Sequence, residues 1–138
     1  MNRAERSNAV RTALKQKVVP ALRDVGFRGT FPHFTRRLEN RIDLINFEFS
    51  THGPGLYVNI GRCGPGGVTL ANGTTYPPGK VRCHHCKAQR RLGLSWDFDN
   101  GAIRSVADNI CADILKLLSI QAEPWWQDPS ELQSHYQE

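Results

Sequence analysis

The apolar residues of this chain change their spacing twice, and that change constrains the fold more than any motif does. Val10, Ala13, Leu14, Val18, Ala21, Leu22 and Val25 recur at steps of three and four. This stripe predicts an amphipathic helix over residues 3–25. Gly26 stands where a left-handed C-terminal cap is wanted, and Pro20 either kinks the helix or starts a second short one. The period then falls to two. Ile45, Phe47 and Phe49 alternate with Asn46 and Glu48, and Leu56, Val58 and Ile60 alternate with Tyr57 and Asn59. Both runs read as half-buried strands. An extended stretch from Phe31 to Arg37, broken by Pro32, precedes them, and turns fall at 38–41 and 51–55. Leu94, Trp96 and Phe98 offer a fourth strand. Helical spacing returns with Ile103, Val106, Ala107, Ile110, Ile114, Leu117 and Leu118, behind Asp99-Asn100 as the expected N-cap.

The order helix, strands, helix predicts an α+β fold: an antiparallel β-meander of about four strands with an N-terminal and a C-terminal helix packed on one face. A chain of 138 residues suits a single domain over 1–138. Residues 61–80 hold Gly61, Gly64, Gly66, Gly67, Gly73 and Gly79 with Pro65, Pro77 and Pro78, and so form a Gly/Pro-rich loop. Loops of that length tend to serve a function. The tail 121–138 is expected to carry a short helix, because Asp128, Pro129, Ser130 and Glu131 read as a cap and first turn.

Charge is unevenly spread. Residues 1–91 carry 16 Lys and Arg against 5 Asp and Glu, while residues 92–138 carry 2 against 8. No acidic residue lies between Glu48 and Asp97, where Arg62, Lys80, Arg82, Lys87, Arg90 and Arg91 all fall. Either the two halves neutralise each other on folding, or a basic surface remains for an anionic partner.

Cys83-His84-His85-Cys86 is the densest cluster of soft ligands. Cys63 and one of His84 or His85 could complete a tetrahedral zinc site with its two thiols. Reduced free thiols, and a disulfide or redox pair, are the other two readings. Cationic neighbours would lower a thiol pKa, so a reactive thiolate at Cys83 or Cys86 is a further reading. Cys111 falls within the last apolar stripe and reads as a small core residue. Gly64-Pro65-Gly66-Gly67 lacks the Lys and Ser/Thr of a phosphate loop. Trp125 and Trp126 either close one end of the core or, if exposed, mark a partner surface.

Several motifs in a fixed order point to a family. Val19-Pro20-Ala21-Leu22-Arg23-Asp24-Val25-Gly26-Phe27-Arg28, then Phe34-Thr35-Arg36, then Ile45-Asn46-Phe47-Glu48-Phe49-Ser50 and Tyr57-Val58-Asn59-Ile60-Gly61, then Arg90-Arg91-Leu92-Gly93 and Trp125-Trp126, resemble the bacterial domain-of-unknown-function family 4304. The resemblance covers roughly residues 10–127. It implies no catalytic residues, and it implies a possible immunity role, in which a small protein blocks a cognate bacterial toxin. The Cys-x-x-Cys pair gains no support from it.

Taken together, these features predict a non-enzymatic protein-binding module, with Arg82, Arg90, Arg91, Trp125 and Trp126 as its contacts to a protein partner. The alternative is a zinc-stabilised nucleic-acid-binding domain, its metal held by Cys63, Cys83, Cys86 and His85 (or His84). No run approaches the roughly 20 apolar residues of a membrane helix, and no apolar signal core follows Met1. A cytoplasmic location is therefore expected.

Overall fold

The computed structural model describes residues 1–128. The short helix predicted after Asp128 lies outside them. Helix α1 (Arg3–Ala13) opens with a capping box: the Asn2 side chain accepts from the Glu5 amide at 2.9 Å, and Glu5 Oε1 accepts from the Asn2 amide at 3.2 Å. A second short helix starts next to Pro20, as one of the two expectations had it, with the proline in its first turn. Before it, α1 widens into a π-helical turn, Leu14–Val18, and the chain continues as α2 (Val19–Asp24). The same device recurs at the other end of the chain. There α3 (Ile103–Leu117) widens at Leu118–Ala122 before α4 (Glu123–Trp126). In both places a proline follows directly on the residue whose amide reaches back five positions, Val19 to the Leu14 carbonyl and Glu123 to the Leu118 carbonyl. A proline within a helix lacks a donor and its ring strikes the carbonyl four residues earlier, so a wider turn relieves both conflicts.

Between the helices run β1 (Arg28–Thr30), β2 (His33–Arg37), β3 (Ile42–Phe49), β4 (Gly55–Cys63), β5 (Val68–Thr69), β6 (Thr75–Tyr76), β7 (Ala88–Arg91) and β8 (Trp96–Asp97). The main sheet is antiparallel, in the order β1-β2-β3-β4-β7, with β8 also paired to β4; β5 and β6 form a separate hairpin. The fold is α+β, as predicted, with more strands than four. The meander register sets Ile45 opposite Ile60 and Phe47 opposite Val58, so one face is apolar throughout. That face packs against Val10, Leu14, Val18, Leu22, Ile110 and Ile114 of the helices.

Two expectations are corrected in detail. The strand predicted through Leu94, Trp96 and Phe98 shrinks to two residues, because Gly93 turns the chain at φ +63° and leaves Leu94 86% exposed. Asp99-Asn100 does not cap α3. Asp97 Oδ1 accepts from the Asp99 amide at 2.7 Å, Gly101 turns at φ +89°, and the N-cap is Ala102 without a side-chain bond. The Asx turn uses the side chain that could have capped, and the helix starts later.

The Gly/Pro-rich loop is ordered by its own small core. Val68, Val81, Cys63, Cys83 and Cys86 pack on Ile42 and Leu44, on the sheet face opposite the helices. Only glycine fits at position 67, where φ is +91° and an added Cβ would meet the Tyr76 carbonyl oxygen at 2.2 Å. Among the described residues no helix is long and apolar enough to cross a membrane.

Candidate functional site

The segment 64–87 covers only one half of the second sheet face. Strand alternation lays polar side chains along the other half: His33 from β2, Asn46 and Glu48 from β3, Tyr57 and Asn59 from β4, and Arg91 from β7. His33 stands opposite Asn46, Asn46 opposite Asn59, and Asn59 opposite Arg91. They form a bonded floor. Asn59 Nδ2 donates to Asn46 Oδ1 at 3.0 Å and to Glu48 Oε1 at 2.9 Å, and Asn46 Nδ2 lies 3.4 Å from His33 Nδ1. Arg91 lays its guanidinium over the Tyr57 ring at 3.7 Å, a cation–π contact that fixes the head above the floor.

The turn Cys83–His85 makes the wall. The Arg82 amide donates to His85 Nδ1 at 2.9 Å, and the His85 ring stacks on Tyr76 at 3.5 Å and lies 4.1 Å from His84. His84, Asn46, Glu48, Asn59, Gln89, Arg90 and Arg91, with Cys83 of the turn, line a groove of about 430 Å³. Burial, then the charges of Arg82 and His84, push the His33 imidazole below its ordinary pKa. Burial, His84 and Arg82 do the same to His85. For both imidazoles burial is the first cause, and the neighbouring charges act in the same direction.

Trp125 and Trp126, predicted as partner contacts, are core residues here. Trp126 is 0% exposed, tilts against Phe27 at 5.1 Å and donates Nε1–H to the Gly61 carbonyl at 2.9 Å. Trp125 is 8% exposed and lies under the guanidiniums of Arg62 at 4.1 Å and Arg90 at 5.8 Å. Neither indole presents a face to a partner. Arg90 and Arg91 are neighbours on one strand and so point to opposite faces. Arg90 goes with Trp125 and Arg91 with Tyr57, and both line the groove, while Arg82 lies exposed on the neighbouring turn, outside its lining. The sequence reading missed His33, Asn46, Glu48, Tyr57 and Asn59. Four of these were visible as the polar half of the alternation, yet nothing local marks an outward residue as part of a site.

The thiols of Cys63, Cys83 and Cys86 are buried together. Cys86 hydrogen-bonds with Cys63, and its thiol donates to the Arg82 carbonyl at 3.6 Å; the Cys83 thiol donates to the Asn59 carbonyl at 3.5 Å. His85 is engaged with Tyr76 and the Arg82 amide, and His84 faces the groove. Among the described residues, no three His, Cys, Asp or Glu side chains are grouped so as to hold a metal ion. Burial and the nearby Cys63 push Cys83 from its ordinary value of 9.0 up to about 12. The bond to Cys63 and burial push Cys86 up as well. For Cys83, three pKa units leave on the order of a thousandfold less thiolate at neutral pH, and the shift at Cys86 runs the same way, which disfavours nucleophilic use of either thiol. Iodoacetamide at pH 8 is therefore expected to alkylate Cys83 and Cys86 only after denaturation; native labelling at the rate of a free thiol would contradict this packing.

The family model described as "Domain of unknown function (DUF4304)" matches residues 18–128. No curated protein and no solved structure matches the chain.

Proposed function

The chain belongs to the DUF4304 family, whose description assigns no reaction, and on that premise we propose that it works by binding, with the uncovered half of its sheet as the docking surface for an acidic face of a protein partner. The observation that carries this reading is the groove: Arg90, Arg91 and His84 gathered around Asn46 and Asn59, with Glu48, already bonded to Asn59, as the acid of its lining. A floor of strand residues is pre-organised, so binding orders little. Exposed arginines near a concave centre are where binding energy concentrates. An immunity-type role, in which the domain blocks a cognate bacterial toxin by covering it, is this mode of action in the form the family resemblance implies. The buried, protonated thiols support a module that binds over one that performs thiol chemistry.

The test is capture from the cells of origin with the intact chain and with the double reversal Arg82→Glu/Arg91→Glu. Reversing charges at a complementary interface is expected to weaken binding on the order of a hundredfold. Both side chains are exposed, so the midpoint of thermal unfolding should hold. An acidic protein recovered in equal amount by the wild type and lost with the reversal supports docking at this face. Recovery of nucleic acid instead, with affinity falling steeply in salt and zinc found by elemental analysis, would favour the alternative of a zinc-stabilised nucleic-acid-binding domain.

A further inference from the structure

We infer that the outer edge of β7 takes an extended, acidic segment of the partner as an added strand, held by main-chain hydrogen bonds and flanked by Arg90 and Arg91. This rests on the reading of this side of the sheet as a docking surface and names the mode of docking.

The register decides which main-chain groups face outward. β7 ends the sheet beyond β4, and among the described residues no strand pairs with its other side. The Leu92 amide donates to the Val58 carbonyl at 2.8 Å. Bonded pairs alternate along an antiparallel ladder, so Arg90 and Ala88 bond with their partners Ile60 and Arg62. The N–H and C=O groups of Gln89 and Arg91 therefore point away from β4. They are the row of donors and acceptors that a further strand completes.

The side chains leave that row open. Gln89 folds back and donates from Nε2 to the Cys86 carbonyl at 2.7 Å. The Arg91 head lies over Tyr57 at 3.7 Å and the Arg90 head over Trp125 at 5.8 Å, one on each face of the sheet. All three residues are exposed. At the opposite edge, β1, Arg23 Nη2 donates to the Gly29 carbonyl at 3.0 Å, so a side chain already occupies it.

Charge names the occupant. Arg90 and Arg91 flank the edge, Arg82 is exposed on the turn before it, and no acidic residue lies between Glu48 and Asp97. Glu48, the acid of the groove, stands on β3, two strands in from the edge, and is bonded to Asn59. A segment with Asp or Glu at its flanks thus meets opposite charge on both faces. A second copy of this chain would set the arginines against each other, which disfavours self-pairing.

The probe is acetyl-Glu-Val-Glu-Val-Glu-amide, titrated into the full chain at low salt while the backbone amides are followed by NMR. Saturable binding is expected, with the Gln89 and Arg91 amides shifting and exchanging more slowly with solvent. Gln89→Pro removes an outward N–H and no bond to β4, since proline on an edge strand gives up only its solvent-side donor. It should weaken the peptide about tenfold. Gln89→Ala loses the same side chain, keeps the N–H and should bind as the wild type does. Glutamine in place of each glutamate of the peptide should weaken binding several-fold. No saturation, equal binding by Gln89→Pro, shifts without protection of the two amides, or a dimer of the free chain paired through this edge would overturn the inference. A partner captured equally by the wild type and Gln89→Pro, yet lost with the charge reversal, would remove strand addition and leave the docking face standing.

Discussion

Asp43→Ala is expected to lower the unfolding free energy by about 3–5 kcal/mol, a large part of the roughly 5–15 kcal/mol that a domain of this kind possesses. Asp43 is 0% exposed and serves two guanidiniums. Its Oδ2 accepts from Arg36 Nη2 at 2.8 Å and Nε at 3.0 Å, and its Oδ1 accepts from Arg41 Nε at 2.8 Å. Arg36 also donates through Nη1 and Nη2 to Glu123 at 2.9 Å each, and to the Val25 carbonyl at 3.2 Å. One guanidinium thus joins β3, the end of α2 and the start of α4, with the Phe27 ring at 4.6 Å and that of Trp126 at 5.3 Å. Burial alone would lower the Arg36 pKa, but the bonds to Glu123 and Asp43 outweigh it and raise it. Removing the carboxylate leaves a charge that is buried and half-paired, the costly outcome. Removing both charges, as in Arg36→Met/Asp43→Leu, should recover much of the loss. Urea denaturation checks both variants: the midpoint falls for Asp43→Ala with an unchanged slope, and the double variant lies between it and the wild type.

Trp126→Ala should cost a comparable amount, about 3–5 kcal/mol, from lost apolar burial and the cavity left behind. The side chain is fully enclosed between the sheet and Phe27. The Nε1–H bond to the Gly61 carbonyl adds a separable part. Trp126→Phe keeps much of the volume but strands that carbonyl, at about 1–3 kcal/mol. Both variants are read by the same denaturation curve. A Trp126→Ala protein as stable as the wild type would mean that the ring lies at the surface, as the partner-contact expectation required.

The elements that bury an apolar stripe were legible in the sequence. The 3–25 and 103–118 spacings, and the alternations at 45–49 and 56–60, place residues that the core holds. What was not legible depends on contacts between distant residues. Ala88–Arg91 has no apolar alternation, yet it becomes β7 because the edge of β4 supplies its partners. Trp125-Trp126 carries no local sign of which side it faces; the π-helical turn before Pro124 carries both indoles inward. By spacing alone the three thiols could be zinc ligands, free thiols or a redox pair, and nothing local places them among Ile42, Leu44, Val68 and Val81. The groove was half visible, through Arg90 and Arg91. Its floor came from three strands whose register no single stretch encodes.

Amide hydrogen exchange of the partner-bound and free chain tests the role of the uncovered sheet face most directly. The expected result is slowed exchange in the 82–91 segment and at the exposed ends of β2 and β4, with α1 and α3 unchanged. Protection confined to the helical side, with the 82–91 segment exchanging as in the free protein, would contradict it.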